Sequence, residues 1–346
     1  MANIDKITPL QTSTLPIDAI LVVSFGGPEQ PADIMPFLEN VLRGKNVPHE
    51  RMLEVAHHYE MMGGKSPINE QNYQFIAALQ QELIWSHIDL PVYWGNRNWR
   101  PMLADTMRQM RDDGIRHALV YLTSAYSSYS GCRQYREDLY RAQTEVGEGA
   151  PEVTVLRKFF NHPGFIIATT AQAQSALDQI PPERRAATHI AFTAHSIPLS
   201  MARNSKYEEQ LRNTCELAAE GIGSQNWKLV YQSRSGPPRQ PWLEPDIGDH
   251  LRELRAHGVE DVVIVPIGFI TDHVEVLFDL DTEARNICNE LGLQMARAAT
   301  VGTHPRFIHM VVELIQERLD NTARRPAWGL LGPSHDICPD DCCLYS

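Results

Sequence analysis

Two doubly wound, Rossmann-like α/β lobes, each with a parallel sheet flanked by helices, are predicted by three features of this chain. Eight short apolar runs alternate with helical stretches. The runs are nearly continuous in Val, Ile, Leu and Ala, the pattern of strands covered on both faces. The same rhythm of four strands with helices between them occurs twice, which implies two layered sheets.

The first series opens with DAILVVSFGGP (18–28) and continues with PVYWGNR (91–97), ALVYLTSAY (118–126) and EVTVLRKF (152–159), with helical patterns over 67–87, 99–113 and 130–146. The second runs through HIAFTAHSIP (189–198), NWKLVYQSR (226–234) and DVVIVPIGFI (261–270), and ends near LQMARAATVG (293–302). The expected division is an extension over 1–17, a first lobe over 18–165, a second over 166–325 and a Cys-rich tail over 326–346. No sequence repeat is strong enough to prove duplication, and no tract is of low complexity.

Length and composition narrow the function classes. A chain of 346 residues with 43% apolar content fills roughly two domain cores. The net charge of -12 and the lack of a Lys/Arg run argue against nucleic acid as a partner. No stretch approaches the ~18 unbroken apolar residues of a membrane span, and the start has no signal-peptide core, so a cytoplasmic location is expected. Met35, Phe37, Leu38, Val41 and Leu42 fit either an apolar edge for peripheral membrane contact or, by their helical spacing, core.

Ligands of open parallel sheets settle outside the carboxyl ends of the strands. The chemistry is therefore expected at Gly26-Gly27-Pro28, Asn96 to Asn98, Ser124 to Gly131, His195, Ser233 to Pro238 and Asp272 to Glu275. After the run at 261–270, a helix start carries Asp272, His273, Glu275, Asp279 and Glu283. Spacings of four place Glu275, Asp279 and Glu283 on one helical face, a carboxylate ladder suited to relaying a divalent metal or protons. Asp272 and Glu275 equally fit a capping box, with Asp272 as N-cap. His195, in FTAHSIP, ends a strand of the same lobe, and a neutral imidazole facing a carboxylate offers a general base and an Fe(II)-compatible ligand together. FGGP and GGKSP lack the spacing of phosphate loops.

Six cysteines divide into two kinds. Cys215 and Cys288 lie among apolar neighbours at helical spacing and read as core. Cys338, Cys342 and Cys343 crowd a polar tail, CPDDCC, and with Cys132 make four thiolates, the number a [2Fe-2S] cluster takes. Zinc is the rival occupant, and a disulfide does not suit a cytoplasmic chain.

FGGPE (25–29), MMGGKSPI (61–68), VYWGNRNW (92–99), TAHSIP (193–198), YQSRSGP (231–237), PWLEP (241–245) and DHVEVLFD (272–279) occur in the order found in ferrochelatases. The chain resembles that family over about 18–320, and YSGCRQY (129–135) with the Asn-Arg-Asn segment is most similar to coproporphyrin III ferrochelatases of the actinobacterial type. The resemblance implies chelatase-type lobes and insertion of ferrous iron into coproporphyrin III between them, by a monomer, with release of two protons. Protoporphyrin IX is the alternative substrate, and a non-catalytic tetrapyrrole carrier the alternative class. By the same resemblance His195 and Glu275 are the catalytic and iron-binding pair, expected on opposite sides of a slot sized for the tetrapyrrole. Asp272, His273, Asp279 and Glu283 are secondary. Ser66 and Tyr135 match positions that bind the porphyrin carboxylates, with Arg43, Tyr59 and Asn69 on the same wall and Trp242 and Phe269 as apolar surfaces. Cys132, Cys338, Cys342 and Cys343 match the ligands of a [2Fe-2S] cluster, although the tail spacing differs from the family's usual one. Phe25 stands where several coproporphyrin enzymes have a tyrosine, so no axial phenolate is available.

Overall fold

The computed structural model describes residues 13–44, 47–236, 239–320 and 323–345. Most of the expected extension over 1–17, and Pro237 and Pro238 of the loop that begins at Ser233, lie outside the described residues.

All eight expected strands form: β1 Ala19–Ser24, β2 Val92–Asn96, β3 His117–Leu122, β4 Glu152–Val155, β5 His189–His195, β6 Trp227–Gln232, β7 Asp261–Val265 and β8 Gln294–Arg297. They build two parallel sheets ordered β2-β1-β3-β4 and β6-β5-β7-β8. Each strand is shorter than its apolar run because the residues past its carboxyl end leave the ladder to form the loops of the site. Helices Ile68–Trp85, Leu103–Asp112 and Gln134–Val146 fall in the expected windows.

The strands show why the apolar runs are unbroken. Along β1, Ile20 and Val22 face one core layer while Ala19, Leu21 and Val23 face another. Along β7, Val263 and Val265 face one layer and Val262 and Ile264 the other. Side chains alternate between the two faces of a strand, so only a run apolar at every position satisfies both. The layer holding Ile20 and Val22 also holds Val263, Val265, Phe165 and Phe307, so a single core joins the two sheets. Helix Pro305–Leu319 packs against both Ile68–Trp85 and Pro163–Leu177. The expected seam at residue 165 falls inside helix Pro163–Leu177, which packs on β7 and β8.

The proposed apolar edge is core. Phe37 and Leu38 are 1% and 4% exposed and pack with Met35, Val41, Tyr59 and Val274. The helical period won here, because this stripe meets the start of the 274–276 helix from the second lobe. Among the described residues no helix is long and apolar enough to cross a membrane.

Candidate active site and thiolate centre

In both sheets the order reverses beside the first strand of its series, which creates a crevice at the carboxyl ends of β5 and β7. His195 is the last residue of β5, paired in register with Gln232 of β6. The chain leaving β7 turns back over β5 at Gly268, whose amide donates to the Thr193 carbonyl at 3.0 Å. A Cβ on Gly268 would stand 2.7 Å from the Ala194 Cα, so only glycine permits this approach. The turn is braced from the first lobe: the Tyr126 hydroxyl donates to the Ile267 carbonyl at 2.9 Å, and the Asp272 amide donates to Gln71 Oε1 at 2.9 Å.

This path brings Glu275 Oε2 to 3.8 Å from His195 Nε2, both side chains being partly exposed. The imidazole is oriented by its other nitrogen. Nδ1 lies 2.5 Å from the Ser196 carbonyl, an acceptor only, so Nδ1 carries a proton, and in the neutral ring the lone pair is on Nε2, the nitrogen turned toward Glu275. A second brace is the Tyr207 hydroxyl, which donates to the His195 carbonyl at 3.0 Å.

The separation corrects the expectation that a macrocycle lies between these two groups. A flat ring with van der Waals contact on both faces needs about 7 Å between them. His195 and Glu275 therefore form one patch on one side of the crevice.

The helix start also differs from its expected form. Asp272 is not the N-cap; His273 occupies that position with extended backbone, and no side chain closes the cap. The Asp272 carboxylate instead takes the guanidinium of Arg297 at 3.2 Å, and Arg297 also binds Asp281 at 2.8 Å. An ion pair with a half-buried arginine outcompetes a cap bond because it also neutralises Asp281. After one turn, Val274–Val276, the helix widens into a π-helix over Leu277–Ala284 and tightens again over Arg285–Leu291. Such widened turns gather at functional sites.

The ladder survives the change of helix. Burial pushes the Asp279 carboxyl up to about 7, the charges of Glu275 and Glu283 add to the rise, and bonds from Ser233 and Gln232 oppose it. Glu283 is also raised, by burial and then by Asp246. Burial holds His273 below the usual histidine range, opposed by Glu275. Burial, aided by Glu275, raises the Tyr59 hydroxyl, and the His58 ring stacks on Phe278 at 3.8 Å. A carboxyl that titrates near neutrality beside an exposed carboxylate and a free imidazole nitrogen can accept protons in succession.

The other expected residues are more enclosed. Ser66 is 2% exposed and packs on Gly27, while Tyr135 is 5% exposed beneath the Arg97 guanidinium, 4.3 Å from its ring. Asn69 and Tyr59 are buried, Arg43 is exposed and bound to Asn40, Trp242 is buried and Phe269 packs beside His273.

A second cluster forms where the tail returns to the first lobe. Cys132 sits in a π-helical turn, Tyr129–Arg133, capped by the Ser128 hydroxyl. Its sulfur is 3.8 Å from that of Cys338, and the sulfurs of Cys342 and Cys343 are 3.4 Å apart. Two thiolates on one tetrahedral metal with 2.3 Å bonds stand about 3.8 Å apart, so the sulfurs have metal-ligand spacing. Arg133 holds the tail by donating to the carbonyls of Asp340 at 2.6 Å and Cys342 at 3.4 Å. Cys215 and Cys288 are fully buried, as their neighbours predict. The sequence reading missed His335, which with Cys338 and Cys342 places three ligand atoms within 4.8 Å of one another. Bonds to those two cysteines push the His335 imidazole up to about 10. Its only sequence signal is its position three residues before Cys338.

Comparison with known proteins identifies the family and the fold. A family-wide sequence model described as Ferrochelatase matches residues 17–319. The chain is 59% identical to a ferrochelatase of Rhodopirellula baltica, over 96% of this chain and 94% of the relative. It is 48% identical to a coproporphyrin III ferrochelatase of Nocardia farcinica, over 94% of this chain and 96% of the relative. The fold is similar to that of SirB from Bacillus subtilis, solved with Fe3+, at a TM-score of 0.56 and 10% identity over 91% of this chain and 100% of that one. The chain belongs to the ferrochelatase family of porphyrin metal chelatases, and its activity is the insertion of iron into a porphyrin.

Proposed function

We propose that the porphyrin is coproporphyrin III and that His195 and Glu275 carry out the insertion. The carrying observation for the pair is the 3.8 Å approach of His195 Nε2, oriented by the Ser196 bond at Nδ1, to the partly exposed Glu275 carboxylate. In this reading the ring lies with one face on that patch, and ferrous iron enters as substrate beside Glu275. The two pyrrole N–H bonds break; one proton passes to His195 Nε2 and the other to the Glu275 carboxylate. Iron takes the vacated nitrogen electron pairs, and Asp279 and Glu283 carry protons away along the π-helix. Asp272, committed to Arg297, stays outside the relay. His273, whose ring packs on Phe269, borders the patch. Ser66 and Tyr135 remain the proposed carboxylate partners, a contact that requires their enclosed side chains to turn outward.

The choice of coproporphyrin III rests on relatives of that name, such as those at 48% and 49% identity from two Streptomyces species, each over 95% of this chain. The lobes are proposed to meet near residue 165 and to act as a cytoplasmic monomer. The test is parallel anaerobic turnover of coproporphyrin III and protoporphyrin IX with Fe(II). A kcat/KM at least tenfold higher for coproporphyrin III is expected; faster turnover of protoporphyrin IX overturns the substrate, and binding of either porphyrin without metalation favours a carrier.

Cys132, Cys338, Cys342 and Cys343 are proposed to hold a [2Fe-2S] cluster, on the support of their number and sulfur spacing. When bound, such a cluster supplies a one-electron redox centre. The residues themselves join the tail to the turn after β3.

A further inference from the structure

Behind the thiolates lies a cavity of about 50 Å³ between the tail and the first lobe, lined by Arg136, Arg157, Lys158, Arg318, His335 and Asp336 among others. It is a cationic pocket in a chain of net charge -12. Three of its cations are accounted for. Arg157 binds Glu317 through two bonds of 2.7 and 2.8 Å, and Arg318 meets Asp336 at 3.3 Å. Lys158 donates to the carbonyls of Ser124 at 2.9 Å and Gly131 at 2.6 Å, which also fixes the turn that carries Cys132.

Arg136 is different. It is only 5% exposed, yet it makes no hydrogen bond or ion pair with any described residue. An isolated buried guanidinium is costly, so a counter-charge belongs beside it. Arg136 lines the same cavity as Cys132 and Cys338. Four thiolates around a dipositive two-iron core leave a net negative charge, and one-electron reduction increases it.

Resting on the cluster reading above, we propose that Arg136, backed by Lys158, is the built-in counter-cation of the thiolate-held cluster and raises its reduction potential. A fixed positive charge in a low-dielectric pocket favours the more negative, reduced form. Arg136 is thus a positioning and charge-setting residue, and its effect is electronic rather than catalytic.

The test uses the full chain purified anaerobically, as wild type and as Arg136→Met, Arg136→Gln and Arg136→Lys. Iron and acid-labile sulfide are assayed first, then the midpoint potential by dithionite titration followed by EPR. With the cluster retained, the Met and Gln variants are expected to show at least a tenfold lower equilibrium constant for reduction, a downward shift of about 59 mV for one electron, while Lys stays within threefold of wild type. Equal potentials in all four proteins overturn the proposal and leave the cluster reading intact. Loss of cluster from Met and Gln but not from Lys supports it, since charge is then needed to hold the group; loss from Lys as well overturns it. Absence of iron and sulfide from wild type defeats the cluster reading itself.

Discussion

The two lobes share one topology and put it to different uses. Each has a four-stranded parallel sheet with its first strand between the second and third. In each, the third strand is followed by a loop and a π-helical segment, Tyr129–Arg133 in the first lobe and, after one α-helical turn over Val274–Val276, Leu277–Ala284 in the second. The residue at or just past the end of the first strand is Phe25 in one lobe and His195 in the other. The segments after the third strand deliver Cys132 to one crevice and Glu275 to the other. A common backbone thus supplies two sets of positions, and side chains alone decide that one gathers thiols from the tail and the other an imidazole with carboxylates.

The strongest way to break this comparison is His195→Ala. Turnover is expected to fall by about 10³-fold, within the range for loss of a positioned general base, while porphyrin binding followed by fluorescence titration stays within a fewfold of wild type. Retained turnover would move the chemistry away from the second lobe.

A smaller effect is expected at Asp279. Its folded carboxyl titrates at about 7, so the native chain holds this proton more tightly than the unfolded chain does. The resulting stability is complete at low pH and is lost as pH rises from the ordinary carboxylate range through about 7. Asp279→Asn removes that loss, so above neutrality its Tm should exceed wild type by at least about 2 °C, with a smaller gain at pH 5 and none near pH 3. Its turnover should fall about tenfold and lose the rise with pH that a proton-accepting carboxylate confers. Differential scanning calorimetry and a pH-rate profile check the two halves separately.

The smallest effect sharpens the first lobe's side of the contrast. A Cβ on Gly131 would stand 2.7 Å from the Ser124 hydroxyl and 3.0 Å from the Tyr126 carbonyl. Gly131→Ala should cost about 1–3 kcal/mol by overpacking, read as a lower midpoint in urea. Turnover by the remaining folded enzyme should be unchanged, because the Cys132 turn belongs to the first lobe and the proposed insertion pair, His195 and Glu275, to the second.

Particular residues show how far the sequence can be read. Every strand and the pairing of His195 with Glu275 were legible, since continuous apolar runs mark buried parallel strands and functional residues follow their carboxyl ends. The N-cap expected at Asp272 was not, because its partner Arg297 lies far along the chain on β8. The apolar stripe at Phe37 and Leu38 left two readings open until Val274 was seen to pack on it. Arg136 carried no signal, because a buried cation's want of a partner, here among the described residues, is recognised only from what surrounds it.

By itself the sequence determined the two parallel sheets and the family, because burial periodicity and motif order are local properties of the chain. Tertiary structure alone decided that His195 and Glu275 share one side of the crevice, that the carboxylate ladder winds on a π-helix and that the tail closes over an arginine with no hydrogen-bond or ion-pair partner among the described residues. Those depend on distances between remote segments, and charge and hydrogen bonding act through space rather than along the chain.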